Sequence, residues 1–467
     1  MTPGPEKAGF PRRLYDVAVI GSDPGGAATA AILSRRGLRV LIAADGPLAP
    51  KESDGWVLPG AVPAVPPLRH LSGAAPVFDD LGLAQELSRQ SAGPSSALQI
   101  LGESLRLSLP ADPARRRADL QRELGDDSAA VESGLDALEA LAKTWDAFLQ
   151  EPPPLPARGF FERRKLRKIL PYPPPDLPEG FVGEALHALA PLCASLVGDT
   201  APEATAREAA TLLRAPLRLW GGATQVWDLL RGKAEASGSH VLAGRCARLR
   251  IERRGVSFEL EGAEVRANVV VLATSPRRIA ELCQGGGRVE RNIIAETALA
   301  VAQKVGLAHF VVRAEAIPQP LEEAALLLSP EGPGLLACHP ARRTKGESRT
   351  EKLLTFCRAV DVDDTDGAGF LAGARRALEP VLPFFEKHIV HEAADLDPHQ
   401  GQRLLRPHEG MHSEPIGLRP VSGSHDRVGF ASREVYPGFG LEGSMLAARA
   451  CAGHALELTG RKQITAT

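Results

Sequence analysis

The chain has 467 residues and a formal net charge of −2, too long for one compact core and too nearly neutral for a nucleic-acid-binding protein. Hydrophobic residues make up 44% of it, yet no apolar run reaches the roughly 18 residues of a transmembrane span. The six cysteines, Cys193, Cys246, Cys283, Cys338, Cys357 and Cys451, form no C-x-x-C pair. Neither a zinc site nor a redox dithiol is therefore indicated, and scattered buried thiols in a cytoplasmic protein are expected.

Residues 1–13 carry Lys7, Arg12 and Arg13 without an apolar stretch and read as a loose tail, not a signal peptide. Val17 to Ile20 then form a short apolar run, as a buried parallel strand does. The segment from Gly21 through Ser22 and Gly25 to Gly26 is a tight turn, Ala27 to Arg36 fit a helix that Gly37 ends, and Val40 to Ala43 are a second strand. Strand, glycine-rich turn, helix and strand within about thirty residues make a βαβ dinucleotide-binding unit. Two of its contact positions are altered. In G-x-G-x-x-G the second glycine, which lets a pyrophosphate approach, is replaced by Asp23. The acidic residue that takes ribose hydroxyls should end the second strand; Ala44 stands there, with Asp45 one step later. Side chains alternate along a strand, so Asp45 faces the other way unless the strand end bends.

Further along, Asp54-Gly55-Trp56 opens a stretch running to Pro63, and Asp79 to Leu83 read as a helix end with a glycine stop. Residues 97–109 look like two short strands around Gly102. From Pro113 to Leu149 apolar residues recur every three, four and seven positions, as in a helix. Residues 158–175 interleave Arg158, Arg163, Arg164, Lys165, Arg167 and Lys168 with Phe160, Phe161, Leu166, Ile169, Leu170 and Tyr172. A basic amphipathic segment of this kind can lie on an anionic membrane surface; the plainer reading is a solvated linker whose apolar residues pack on the domain.

Phe181 to Leu213 read as helical, and Gly221-Gly222 opens another helix through Ala236. Short strands are expected at His240–Leu242, Cys246–Glu252, Val256–Leu260 and Glu264–Arg266, with a strongly apolar strand from Asn268 to Ala273. Strands near 307–312, 325–328, 335–338 and 352–358 follow, then a helix from Ala368 to Leu382 and a last one from Ser444 to Leu458. His388, His391, His399, His408 and His412 cluster without the spacing of a metal site, so no metal is expected. No G-x-S-x-G elbow is present, and no side chain stands out as a catalytic acid or base.

Taken in order, these landmarks resemble the phytoene-desaturase branch of the FAD-dependent amine-oxidase superfamily. The βαβ unit, the Asp54–Pro63 stretch, Trp220-Gly221-Gly222, the strand Val269 to Ala273, and Pro437-Gly438-Phe439-Gly440-Leu441-Glu442-Gly443 with Arg419-Pro420 upstream carry the likeness. It implies an α/β fold: a Rossmann-like FAD/NAD(P)-binding domain with an inserted α+β substrate domain. The first would be built from 14–75, 215–290 and 410–460, and the second from 76–214 and 291–409, with a tail at 461–467. It also implies FAD, held by Gly21, Ser22, Gly25, Gly26, Asp45, Arg433, Gly438, Gly440 and Leu441, and a small hydrophobic substrate. The departures fall on cofactor contacts: Asp23, Ala44, the missing Arg-x-Gly-Gly after the second strand, and Arg433 where the family carries an acid or equivalent polar residue. Arg433 could contact a phosphate, or Asp23 could pair with Arg433 or Arg277 and fill the groove. Two functions are expected from this pattern: an FAD-dependent oxidoreductase of the phytoene-desaturase type, or a non-catalytic binding or scaffold module that has lost FAD. Either would be cytoplasmic, with peripheral membrane contact through 158–175.

Overall fold

The computed structural model describes residues 14–45, 50–62, 64–65, 73–90, 97–102, 105–110, 112–150, 179–194, 217–218, 221–299, 301–319, 321–396, 403–405 and 417–460, and the single residues 160, 161, 164, 168 and 209. Both tails, most of the 158–175 segment, Trp220, His399, His408 and His412 lie outside the described residues.

A seven-stranded sheet carries the dinucleotide-type half. Strand β1 (Leu14–Gly21) lies between β2 (Val40–Ala44) and β3 (Ala263–Ala273), parallel to both, with Val17 opposite Val40 and Val269. Its residues from Val17 to Ile20 are fully buried, which is why the sequence there is apolar without alternation. The two strands expected at 264–266 and 268–273 are one. The first part of β3 pairs antiparallel with Gly255–Leu260, and the last part pairs parallel with β1 and with β4 (Val428–Phe430). A strand can change partners along its length because each stretch needs only one neighbour on each edge.

Helix α1 (Pro24–Arg35) packs on this sheet beside the helix Ala223–Ala236 and α3 (Gly440–Leu458), the last residues of which are followed by the tail. Ala27, Ala28, Ala30 and Ala31 of α1 share one buried cluster with Leu230 and Ala234 of the second helix and Ala448 and Ala452 of α3. Small side chains let the three helices lie close to the strands and to one another. Helix α1 begins at Pro24, three residues before the expected start, and α3 begins at Gly440 and not at Ser444.

The second sheet has ten strands and is mostly antiparallel. Its long members are Val301–Arg313, Gly334–Arg343 and Gly346–Asp361. One face is covered by the helix Gly367–Leu378, whose Phe370, Ala374 and Leu378 bury against Phe310 and Phe356. The helix expected over 113–149 is broken at Gly125, with φ +58°, into Pro113–Leu124 and Ser128–Gln150. The expected helix from Phe181 is described as far as Ala194.

The Asp54 stretch lies at the edge of the second sheet. Lys51–Ser53 and Trp56–Leu58 form a hairpin whose turn residues Asp54 and Gly55 have φ +48° and +76°, and its second strand pairs with Arg342 and Arg343 of the second sheet. Positive φ at both turn positions is the type I′ geometry that suits Asp-Gly.

Candidate functional site

The glycine-rich turn after β1 is built from three close approaches. Gly21 sits at φ +118°, and a Cβ there would lie 2.1 Å from the carbonyl oxygen of Ala273 on β3. A Cβ on Gly26 would lie 2.3 Å from the Cβ of Ala273 and 2.9 Å from Val19. These two glycines therefore do the work expected of the first and third positions: a tight turn and close helix–strand packing. A Cβ on Gly25 would meet the carbonyl oxygens of Ala431 and Ser444 at 2.6 and 2.7 Å, so the loop after β4 and the first turn of α3 press against the start of α1. Ser22 is half-buried between these glycines.

The first turn of a helix ordinarily offers unsatisfied N–H groups, and these bind phosphate. In α1 none is left over. Pro24 has no N–H, and the N–H of Gly25 donates to Asp23 Oδ1 at 2.9 Å. The N–H of Gly26 donates to the Asp23 carbonyl at 3.0 Å, and that of Ala27 to the same oxygen at 3.4 Å. Asp23 is thus the N-cap of α1, and Pro24 is its first residue, a pairing that helix starts favour. The carboxylate occupies the position where an anion would gain the helix dipole.

Asp23 is buried, and its second oxygen lies 3.5 Å from Nε of Arg433, which is itself mostly buried. Of the two partners open to Asp23 in the sequence, Arg433 is the one that meets it; Arg277 is not. Burial pushes the Asp23 carboxyl above the usual carboxylate range; Arg433 opposes that, the carboxylate of Glu434 adds to it, and the Gly25 N–H pulls it back. Asp23 and Glu434, 8% and 1% exposed, are two buried carboxylates close enough for the second to raise the pKa of the first. The electrostatics of this groove favour a proton or a cation more than a second anion.

Asp45 lies elsewhere, just past β2. Its N–H bonds back to the Ala43 carbonyl at 2.9 Å, so the strand end does bend and the side chain turns inward. There it meets helix α2 (Pro276–Cys283): Nε and Nη2 of Arg278 donate to Asp45 Oδ2 at 3.0 and 2.8 Å. Arg278 also donates to the Cys246 carbonyl at 2.6 Å and to Glu281 at 2.7 Å. The carboxylate expected to take ribose hydroxyls is held by an arginine of its own chain.

The third expected group starts α3. Gly438 and Gly440 have φ +94° and +49°, Leu441 packs on the helix core, and a Cβ on Gly443 would lie 2.4 Å from the Tyr436 carbonyl. Glu442, fully buried, accepts from the N–H of Gly73 at 2.5 Å. Phe439 meets Trp145 of the helix Ser128–Gln150 edge-to-face, with ring centroids 5.6 Å apart. Gly21, Gly25, Gly26 and Arg433 thus converge with the start of α3, and Asp45 does not join them. Among the described residues no group of His, Cys, Asp and Glu is arranged to hold a metal. His388 faces Glu315 at 3.1 Å and His391 faces Asp54 at 3.4 Å.

No protein-family model matches the chain, and no curated protein does. Solved structures do. Over 96% of this chain and all of theirs, it superposes on cyclohexylamine oxidase from Brevibacterium oxydans IH-35A at 15% identity with a TM-score of 0.60. A putrescine oxidase variant gives 16% identity over 96% of this chain and 99% of that one, with a TM-score of 0.61. A putative protoporphyrinogen oxidase from Exiguobacterium sp. 255-15 gives 13% over 94% and 98%, with a TM-score of 0.52. The fold is that of these amine oxidases. The likeness runs nearly the length of the chain.

FAD, which the resemblance implies, would meet at the start of α1 a buried carboxylate that already accepts from the Gly25 N–H, with the carbonyl oxygens of Ala431 and Ser444 packed against Gly25. Sequence reasoning missed three residues of this arrangement. Glu434 and Glu442 gave no signal, since buried carboxylates are not legible from charge alone. Arg278 did: Ser275-Pro276 is a helix start, with the Ser275 hydroxyl accepting from the Arg278 N–H at 3.1 Å, and that places Arg278 in a first turn beside β2.

Proposed function

We propose that this chain is a non-catalytic binding or scaffold module built on the amine-oxidase fold, in which Asp23 and Arg433 stand where a cofactor diphosphate would sit. The observation that carries this reading is the start of α1, where Asp23 accepts from the N–H groups of Gly25, Gly26 and Ala27 and Arg433 lies on its carboxylate. A carboxylate next to two phosphates is repelled by each, roughly a kcal/mol or more apiece at an effective dielectric of 20. Asp45 supports the same reading, because Arg278 already satisfies it. The fold itself would then serve as a frame that holds the second domain and the surface helices in place.

The second reading is an FAD-dependent oxidoreductase of the phytoene-desaturase type acting on a small hydrophobic substrate. The full-length match to amine oxidases and the retained glycine turn into α3 favour it. In that case Arg433 leaves Asp23, a single contact of 3.5 Å, for a phosphate oxygen. Bound FAD would supply the hydride acceptor, and this chain's residues would orient the substrate and keep water out. The visible absorption spectrum of the purified chain, before and after incubation with excess FAD, separates the two readings: no flavin band retained supports the first, and a stoichiometric band supports the second.

A further inference from the structure

Phe160 and Phe161 are the most exposed large apolar residues described, at 71% and 82%, while the other large side chains of this size are mostly in the cores. Their rings meet edge-to-face with centroids 5.8 Å apart. Phe160, Phe161, Arg164 and Lys168 are all helical and all exposed. Positions 160, 164 and 168 are spaced by four, the spacing that sets side chains on one face of a helix. The sequence around them is sharply polarised: between 158 and 168 stand Arg158, Arg163, Arg164, Lys165, Arg167 and Lys168 against Glu162 alone, in a chain whose net charge is −2.

We infer that this face docks the protein on an anionic lipid surface, with Phe160 and Phe161 entering the headgroup boundary and Arg164 and Lys168 on the lipid phosphates. Aromatic side chains on one face with cations beside them are the composition of an interfacial helix. Exposed phenylalanines contribute by leaving water, and the cations by the negative surface potential. A polyanion such as nucleic acid would satisfy the cations and leave the two phenylalanine rings in water, so lipid is the occupant that accounts for both. No helix among the described residues is long and apolar enough to cross a membrane, so the attachment is to one face of the bilayer. This inference does not depend on whether the chain holds FAD.

Co-sedimentation of the full chain with vesicles of phosphatidylcholine, alone or with phosphatidylglycerol added, tests it. Binding should be at least tenfold stronger to the anionic vesicles. It should fall when ionic strength rises from about 0.1 to about 1 M, where the Debye length drops from about 10 to about 3 Å. Each cation removed from the surface should lower the partition constant about fivefold, so Arg164→Glu with Lys168→Glu should lose well over tenfold and flatten the salt dependence. Phe160→Ser with Phe161→Ser should weaken binding while leaving the salt dependence in place. Both pairs are exposed, so melting temperatures within a degree or two of native establish that folding is intact. Equal binding to the two vesicle types, binding unchanged in either double variant, or a tighter complex with a single-stranded oligonucleotide than with anionic vesicles would each overturn the inference.

Discussion

Nε of Arg433 lies 3.5 Å from Oδ2 of Asp23, and the other oxygen of that carboxylate caps α1 through the Gly25 N–H at 2.9 Å. One side chain thereby joins the glycine turn of the first strand to the loop that follows β4, 410 positions later in sequence.

The pair has a pH signature. Burial raises the Asp23 pKa above 3.8, its ordinary value, so the folded state takes up this proton before the unfolded chain does. The stabilisation from protonated Asp23 is therefore fully present below 3.8 and is lost as pH rises through the raised value. Asp23→Asn keeps the cap and removes the buried charge. Its stability relative to native should be most favourable near neutral pH and should decline as the pH falls. Asp23→Ala, which loses the cap, should cost about 1 kcal/mol more than Asp23→Asn at pH 7. Thermal melts of the three proteins between pH 4 and pH 7 check both statements, where the pH limits are set to roughly span the carboxylate range.

The glycines of the turn are there for packing whether or not a nucleotide binds. Gly26→Ala would place a Cβ 2.3 Å from that of Ala273, between α1 and β3. Overpacking of this kind costs roughly 1–3 kcal/mol. Gly21→Ala should cost more, because the φ of +118° adds backbone strain to a 2.1 Å clash with a carbonyl oxygen. Urea unfolding of the two variants should rank them in that order; equal stabilities would mean that the turn opens freely.

Much of the first half was legible because its physics is local. A buried parallel strand must be apolar, a tight turn must be glycine, and a helix that lies close to a sheet must be small-sided; Val17–Ile20, Gly21 and Ala27–Ala31 state this directly. The start of α1 was equally local, since Asp23-Pro24 is a helix-start pair, but reading Asp23 as a damaged glycine hid its role as the cap. What the sequence left open is what depends on distant partners. Whether Asp23 meets Arg433 or Arg277, whether Asp45 turns inward, and which sheet the Lys51–Leu58 hairpin joins are all decided by contacts hundreds of residues apart. The basic segment around Phe160 was legible as composition, and the exposure of its two rings was not.

Arg278 holds Asp45 through two N–H groups on one oxygen, with both side chains nearly buried. Arg278→Met leaves an unpaired buried carboxylate and should destabilise the chain by about 3–5 kcal/mol. Asp45→Asn with Arg278→Met should recover much of that loss. Arg278→Lys should not rescue it, since an ammonium cannot reproduce the fork that reaches Asp45 and the Cys246 carbonyl together. Chemical denaturation of the four proteins measures these differences.

His309 packs in the second sheet against Thr355, with Nδ1 and Oγ1 3.1 Å apart, and burial holds its pKa down to about 4. Because the folded pKa is depressed from 6.5, the unfolded chain binds this proton first, and stability should fall as pH drops from 6.5 towards 4. Each unit of that shift corresponds to about 1.4 kcal/mol. His309→Gln should be less sensitive to acid over this window than the native chain. Equal acid sensitivity of the two proteins would place the proton elsewhere.

The central claim is that Asp23 and Arg433 occupy the diphosphate position of α1. Its most direct test is FAD binding by three preparations: the native chain, Asp23→Gly with Ala44→Glu, and the native chain refolded in excess FAD. Occupancy is read from the flavin absorption band and from the quenching of free flavin fluorescence. The account predicts that the native chain purifies without the band and gains none on refolding. The double variant, with a carboxylate removed and a strand-end acid restored, should take up measurable FAD. A native chain that purifies yellow at one flavin per chain would contradict it, since Asp23 would then have to turn away from Gly25 and yield Arg433 to the cofactor.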